Sequence, residues 1–235
     1  MRIRRFQLKH MGLLMALSTG FSLVSLALPL QRAQANDWVL YQEGNLQPLV
    51  GTHTFAGTAG QTVAIALKTE GFAGSLALVA PNGEEIATNE YYGRSGVPTI
   101  VATLPASGAY KVLARSPYGQ PGTYTVNVRV ATAYDQAFSR GIQLSQQRDL
   151  SGAIAAFNEA IRADPQNPDA HVELADVLYA DAVRLKPDEL RSIIAAYEQA
   201  AVIYERQGNR EMSQMLRDQI LALQAENSES EVLSP

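Results

Sequence analysis

The period of the hydrophobic pattern changes once along the chain, and the change dictates two different kinds of packing. Between Gly51 and Ala131 apolar residues alternate with small or polar ones. Val63, Ile65 and Leu67 form one such series, Leu76, Leu78 and Ala80 the next, and Ile100, Ala102 and Leu104 a third; Tyr110, Val112 and Ala114 follow, then Tyr124, Val126, Val128 and Val130. A period of two belongs to strands with one buried face. The gaps hold turn residues, Ala59-Gly60, Pro81-Asn82-Gly83, Ser107-Gly108 and Pro121-Gly122, which supply the tight and left-handed conformations that reversals need. Short strands at this spacing predict an antiparallel sandwich. Beyond Tyr134 the period is helical. Asp149 is read as an N-cap, Ile154, Phe157 and Ile161 as an apolar stripe, and Asp164-Pro165 as a stop, because the residue before proline avoids the α region. The expected fold class is α+β in separate domains: an N-terminal antiparallel β-sandwich over 36–133, then an all-α stack over 134–225.

The first 35 residues have a different logic. MRIRRFQLKH is basic, Met11 to Leu30 is apolar, and Ala33-Gln34-Ala35 has the small–x–small form of a cleavage site. That order reads as a secretory signal peptide of the Sec type, placing the protein in the periplasm or outside the cell. An uncleaved N-terminal anchor is the alternative, since twenty apolar residues reach across a bilayer. Arg2, Arg4, Arg5, Lys9 and Arg32 all lie in this leader, and it has no acid. Taking those five from 19 basic residues leaves 14 against 23 acids. An acidic chain of that kind is a poor partner for nucleic acid.

The chain has no cysteine and three histidines. Disulfides, thiolate metal sites and cysteine nucleophiles are excluded. G-x-S-x-G, H-E-x-x-H and the phosphate-binding G-x-x-x-x-G-K-[ST] are missing beyond the leader, so the expectation is no enzyme, no catalytic residues, no metal and no cofactor. His171-Val172-Glu173 has the spacing of a deaminase H-x-E, but that chemistry also needs two cysteines on zinc. Glu84, Glu85 and Glu90 are too few oxygen donors for a hard cation and read as solvated loop charge.

Four motifs in order carry a resemblance: F-x-G-x-x-G-Q-x-V-x-I-x-L from Phe55 to Leu67, L-x-L-x-x-P-N-G from Leu76 to Gly83, L-P-x-S-G-x-Y-x-V from Leu104 to Val112, and G-x-Y-x-V-x-V from Gly122 to Val128. The segment resembles the bacterial pre-peptidase C-terminal domain. The resemblance implies a jelly-roll-like sandwich of an exported protein. The acidic pair that family members carry after the asparagine-glycine turn is replaced here by Ala87-Thr88-Asn89-Glu90, which argues against a calcium role.

The helical half resembles tetratricopeptide repeats, helix–turn–helix units of 34 residues. Gly141, Leu144, Ala153, Phe157, Ala160 and Pro165 fall at that family's signature positions in a first repeat, 134–167. A second repeat, 168–209, has a lengthened turn at 184–188, with Tyr197 for Phe157 and Ala200 for Ala160. A capping helix, about 210–223, and a disordered acidic tail, 226–235, complete the expectation. Repeat arrays need about three units for stability. Two and a cap imply that the stack docks on the sandwich, forms a homodimer, or is marginal.

The resemblance to repeats implies a protein or peptide partner on the first-helix face. It transfers groove positions to Phe138, Ile142 and Ser145 in the first repeat and to Val172, Asp176 and Tyr179 in the second; Phe138 and Ile142 have the competing reading of core. Tyr91, Tyr92 and Arg94 form an aromatic and cationic loop cluster suited to a sugar or a peptide. The expected function is an exported, non-enzymatic scaffold or adaptor. The alternatives are an envelope glycan- or peptide-binding module using the sandwich loops, or an accessory or inhibitor of a secreted hydrolase.

Overall fold

The structure is a computed structural model that describes residues 38–45, 50–89, 96–182 and 186–232. The leader read at 1–35 and the Tyr91, Tyr92 and Arg94 cluster lie outside the described residues. Among these residues eight strands come first: β1 Trp38–Asn45, β2 Val50–Gly57, β3 Thr62–Glu70, β4 Ser75–Val79, β5 Glu85–Asn89, β6 Thr99–Thr103, β7 Gly108–Arg115 and β8 Thr123–Val130. They pair antiparallel in two four-stranded sheets, β1-β8-β3-β6 and β2-β7-β4-β5. The pairs β1–β8, β2–β7, β3–β6 and β4–β5 are those of one long hairpin rolled up on itself, which is a jelly roll.

Alternation places one side chain in two between the sheets. Val63, Ile65 and Leu67 from β3 and Val126 and Val128 from β8 meet Leu76 and Leu78 from β4 and Val112 from β7, all at most 1% exposed. Phe55 and Tyr110 face each other across β2 and β7 with stacked rings 5.6 Å apart. The Tyr110 hydroxyl donates to the Ala106 carbonyl at 2.7 Å, so the tyrosine of the L-P-x-S-G-x-Y motif ties its own corner to the core. Gly83, at φ +88°, closes the β4–β5 turn, and the Asn82 side chain accepts the Glu84 N–H at 3.0 Å. Val130, expected on the buried face, ends β8 at 41% exposure.

Five helices follow among the described residues: α1 Ala133–Gln146, α2 Leu150–Ala163, α3 Pro168–Asp181, α4 Pro187–Arg206 and α5 Arg210–Val232. Asp149 caps α2 by accepting the Gly152 N–H at 3.0 Å, and α2 stops before Asp164-Pro165. Phe157 is fully buried against Phe138, edge to face at 5.6 Å. A Cβ at Gly141 would lie 2.6 Å from the Phe157 ring, which is why the repeat signature has glycine there. One apolar cluster joins α1, α2 and α3, and a second joins α3, α4 and α5, with Tyr197 and Ile193 at its centre. The last helix spans more residues than the expected 210–223. It runs on from Leu223 to Val232, through much of the tail expected to be disordered. Residues 210–232 contain no glycine or proline, so nothing in the chain stops the helix where its apolar stripe ends.

The stack is docked on the sandwich. Arg129, on the outer face of β8, forms two parallel bonds with the Asp135 carboxylate, one of them 2.6 Å. Asp135 is the third residue of α1. Its carboxylate also accepts the Thr132 N–H at 2.7 Å, while its own N–H donates to the Thr132 hydroxyl at 3.2 Å. This reciprocal cap is the T-x-x-D signature at the first helix. Helix and sheet are thus joined through one carboxylate. Burial pushes the Asp135 pKa up, but the bonds from Arg129 and Thr132 outweigh it and hold the group below its ordinary value.

Candidate functional site

A cleft of about 430 Å³ opens between α1 and the adjoining edges of the two sheets. Thr88 and Asn89 of β5 and Thr99 and Val101 of β6 form its sandwich wall. Ser139, Ile142, Gln143 and Gln146 of α1 form the other. These α1 residues sit where they do because the Arg129–Asp135 joint anchors the helix N-terminus beside β8 and lays the next turns along β6. No charged side chain lines the cleft among the described residues. The described lining is neutral, with hydroxyls and amides around the aliphatic side chain of Ile142.

The six groove positions taken from the repeat resemblance are distributed as follows. Ile142 is 8% exposed and stands on the cleft wall. Phe138 is 2% exposed, stacked on Tyr134 at 5.4 Å and set edge-on against Phe157. Ser145 is half-buried on the last turn of α1. Val172 is fully buried in the α3–α4–α5 cluster. Asp176 accepts the Tyr197 hydroxyl, which in turn accepts the Gln219 amide at 2.9 Å, so this carboxylate helps tie α3, α4 and α5 together. Tyr179 is 45% exposed on α3. The cleft therefore takes in one of the six, and Ser139, Gln143 and Gln146 complete its helical wall. The signal for those three was their spacing on the face of α1 shared with Ile142; what hid them was that their opposite wall comes from strands some forty to fifty residues earlier in the chain.

Each described histidine has a structural partner. His53 Nε2 is 2.8 Å from the Tyr124 hydroxyl, and His171 Nε2 is 3.4 Å from the Pro165 carbonyl oxygen. Burial lowers the His53 pKa, and burial lowers that of His171 against the opposing bond to Pro165. The unfolded chain then takes up protons first as the pH falls through about 6.5, so both groups make the fold less stable towards acid. The urea midpoint is expected to be lower at pH 5.5 than at pH 7.5. His53→Asn should shrink that difference; an equal difference in the variant would show that His53 does not contribute. Glu85, one of the three loop glutamates, is paired with Arg115 at 2.6 Å. Among the described residues no group of three or more histidines and carboxylates could hold a metal ion, and no helix is long and apolar enough to cross a membrane.

The TPR repeat family matches residues 143–181. The resemblance to tetratricopeptide repeats thus stands over the end of α1, all of α2 and α3. The matched helix pair is α2–α3, which stack as a hairpin as α1–α2 do. A comparison with curated proteins finds no match. Among solved structures the chain is similar to the pre-peptidase C-terminal domain of collagenase from Bacillus anthracis, at 17% identity over 38% of this chain and 88% of that one, with a TM-score of 0.34. It is also similar to PliG, a periplasmic lysozyme inhibitor of g-type lysozyme, from Aeromonas hydrophila, at 19% identity over 43% and 92% with a TM-score of 0.34. The Salmonella Typhimurium PliG gives 20% identity, 39% and 90%, and a TM-score of 0.29. Each of these likenesses covers less than half of this chain.

Proposed function

We propose that this protein is an exported, non-enzymatic adaptor that holds a protein partner through its short repeat stack, with the jelly roll as the platform that orients it. The observation that carries the reading is the repeat match at 143–181, since stacks of this kind present extended surfaces to other proteins. The docked sandwich supports it as well: α1 is tied to the sheet through Arg129 and Asp135 and carries α2 on its other side, so a stack of only two pairs and a cap has a fixed shape to present. Tyr179, half-exposed on α3, and the neutral cleft beside α1 are the binding elements of this reading. Export rests on the basic, apolar and small-residue order of the leader.

Affinity capture from an exported fraction tests it, with the purified protein and Tyr179→Ala as parallel baits. A partner held by the native chain should be retained roughly tenfold less by the variant, the loss of one interface anchor worth about 1.4 kcal/mol. Equal retention would move the contact away from α3. Capture of nothing above background by the native protein would remove the adaptor reading.

A further inference from the structure

The backbone of the cleft wall has an open side. Among the described residues β6 is the outermost strand of its sheet and pairs with β3 alone, Thr62 opposite Thr103 through Ala66 opposite Thr99. Just beyond the two ends of this ladder, Leu67 N–H donates to the Pro98 carbonyl at 2.9 Å and Leu104 N–H donates to the Gln61 carbonyl at 2.8 Å. Antiparallel ladders alternate bonded and non-bonded pairs. Residues 98, 100, 102 and 104 therefore direct their backbone groups at β3, and Thr99, Val101 and Thr103 direct theirs outward. The Asn89 side chain donates to the Thr99 carbonyl. Among the described residues no hydrogen bond reaches the outward groups of Val101 or Thr103. Natural sheet edges are normally blunted. Here Asn89 covers the outward Thr99 carbonyl at the start of β6, and the outward groups of Val101, on the cleft wall, and of Thr103, past it, are left open.

We infer that the β6 edge takes up an extended, uncharged peptide segment of the partner protein, which adds a strand to the β1-β8-β3-β6 sheet with its alternate side chains in the cleft beside α1. The inference rests on the adaptor reading and specifies what kind of segment is bound. Backbone bonds to Val101 and Thr103 supply the pairing, as in other strand additions. The lining supplies the selectivity. Ser139, Gln143, Gln146 and Thr88 offer hydroxyl and amide partners to neutral side chains, and Ile142 offers one aliphatic contact. Among the described lining residues a carboxylate or an ammonium would find no counter-charge for the hydration it loses, so charged side chains are disfavoured at the inward positions.

The probe is a phage-displayed heptapeptide library selected on the purified protein, followed by affinity measurement on the synthetic capped peptides. Val101→Pro removes the outward N–H and leaves the bonds to β3 in place, since proline is tolerated on an edge strand. The expected result is a loss of at least about tenfold in affinity on Val101→Pro. Single N-methylations along the peptide should abolish binding at every second position, because only alternate peptide N–H groups face β6. The N-methyl scan uses the native protein, so it decides the matter even if Val101→Pro fails to fold. Slow amide exchange at Val101 and Thr103 in the free protein would show the edge already covered by this chain or a second copy, and would overturn the inference. So would peptides that bind with no alternation, or the selection of none. In those cases the adaptor reading stands or falls separately on the Tyr179→Ala capture.

Discussion

Phe157→Ala is expected to lower the stability of the helical stack by about 3–5 kcal/mol, the range for removing a buried aromatic from a packed core. Phe157 is fully buried at the junction of α1 and α2. Its ring meets the edge of Phe138 and lies over the bare backbone of Gly141. Neither neighbour can fill the gap. Gly141 has no side chain to move in, and Phe138 is held on its other face by Tyr134. The lost transfer energy is therefore joined by that of an uncollapsed cavity. Thermal or urea unfolding followed at 222 nm measures the effect. A helical transition that does not move would mean that the ring is not packed as described, and would count against the repeat assignment for α1 and α2.

Asp135→Ala has the second largest expected effect, about 2–4 kcal/mol. Breaking a buried ion pair by removing one partner costs about 3–5 kcal/mol. The Asp135 side chain is only 9% exposed, but Arg129 is 26% exposed and water can partly solvate the orphaned guanidinium, which reduces the cost. The loss of the cap adds to it by about 1 kcal/mol. Asp135→Asn keeps the shape and an acceptor and should cost less. The pH dependence identifies the mechanism. The folded pKa of Asp135 lies below the unfolded value of about 4, so its contribution is complete above that value and disappears as the pH falls through the folded one. The gap between the native protein and Asp135→Asn should accordingly be constant near neutrality and close in acid. A gap that persists unchanged at low pH would assign the effect to packing rather than charge.

The cap at α1 was legible as Thr132-x-x-Asp135, yet the arginine that completes it was not. Strand parity puts Arg129 on the face opposite Val126 and Val128, which identifies it as outward. It does not say that a helix lies on that outer face. Phe138 and Ile142 show the same limit. Their helical spacing marks them as one apolar face of α1, and the chain alone leaves open whether that face meets a partner, a helix or the sheet. In the fold it is divided: Phe138 is packed between Tyr134 and Phe157, and Ile142 stands at the cleft. Asp176, taken as a groove carboxylate, is engaged by Tyr197, because the tyrosine that replaces phenylalanine in the second repeat brings a hydroxyl that needs a partner when buried.

The individual elements follow from local patterns in the chain. The alternation of Val63, Ile65 and Leu67, the turn at Pro81-Asn82-Gly83, the cap at Asp149 and the stop at Asp164-Pro165 are local, and each is decided by backbone sterics and one-sided burial within a few residues. Motif order went one step further and implied the jelly roll. The tertiary structure alone decided which strands end a sheet and what lies against them. That β6 is an edge, that β5 adjoins it across the open side of the sandwich, and that α1 lies along both are consequences of pairings between residues thirty or more positions apart. Such pairings depend on loop closure and on the summed burial of whole faces, and no short window of the chain contains them. The cleft, with the outward amide of Val101 on its wall and that of Thr103 beyond it, exists only once those distant faces have met.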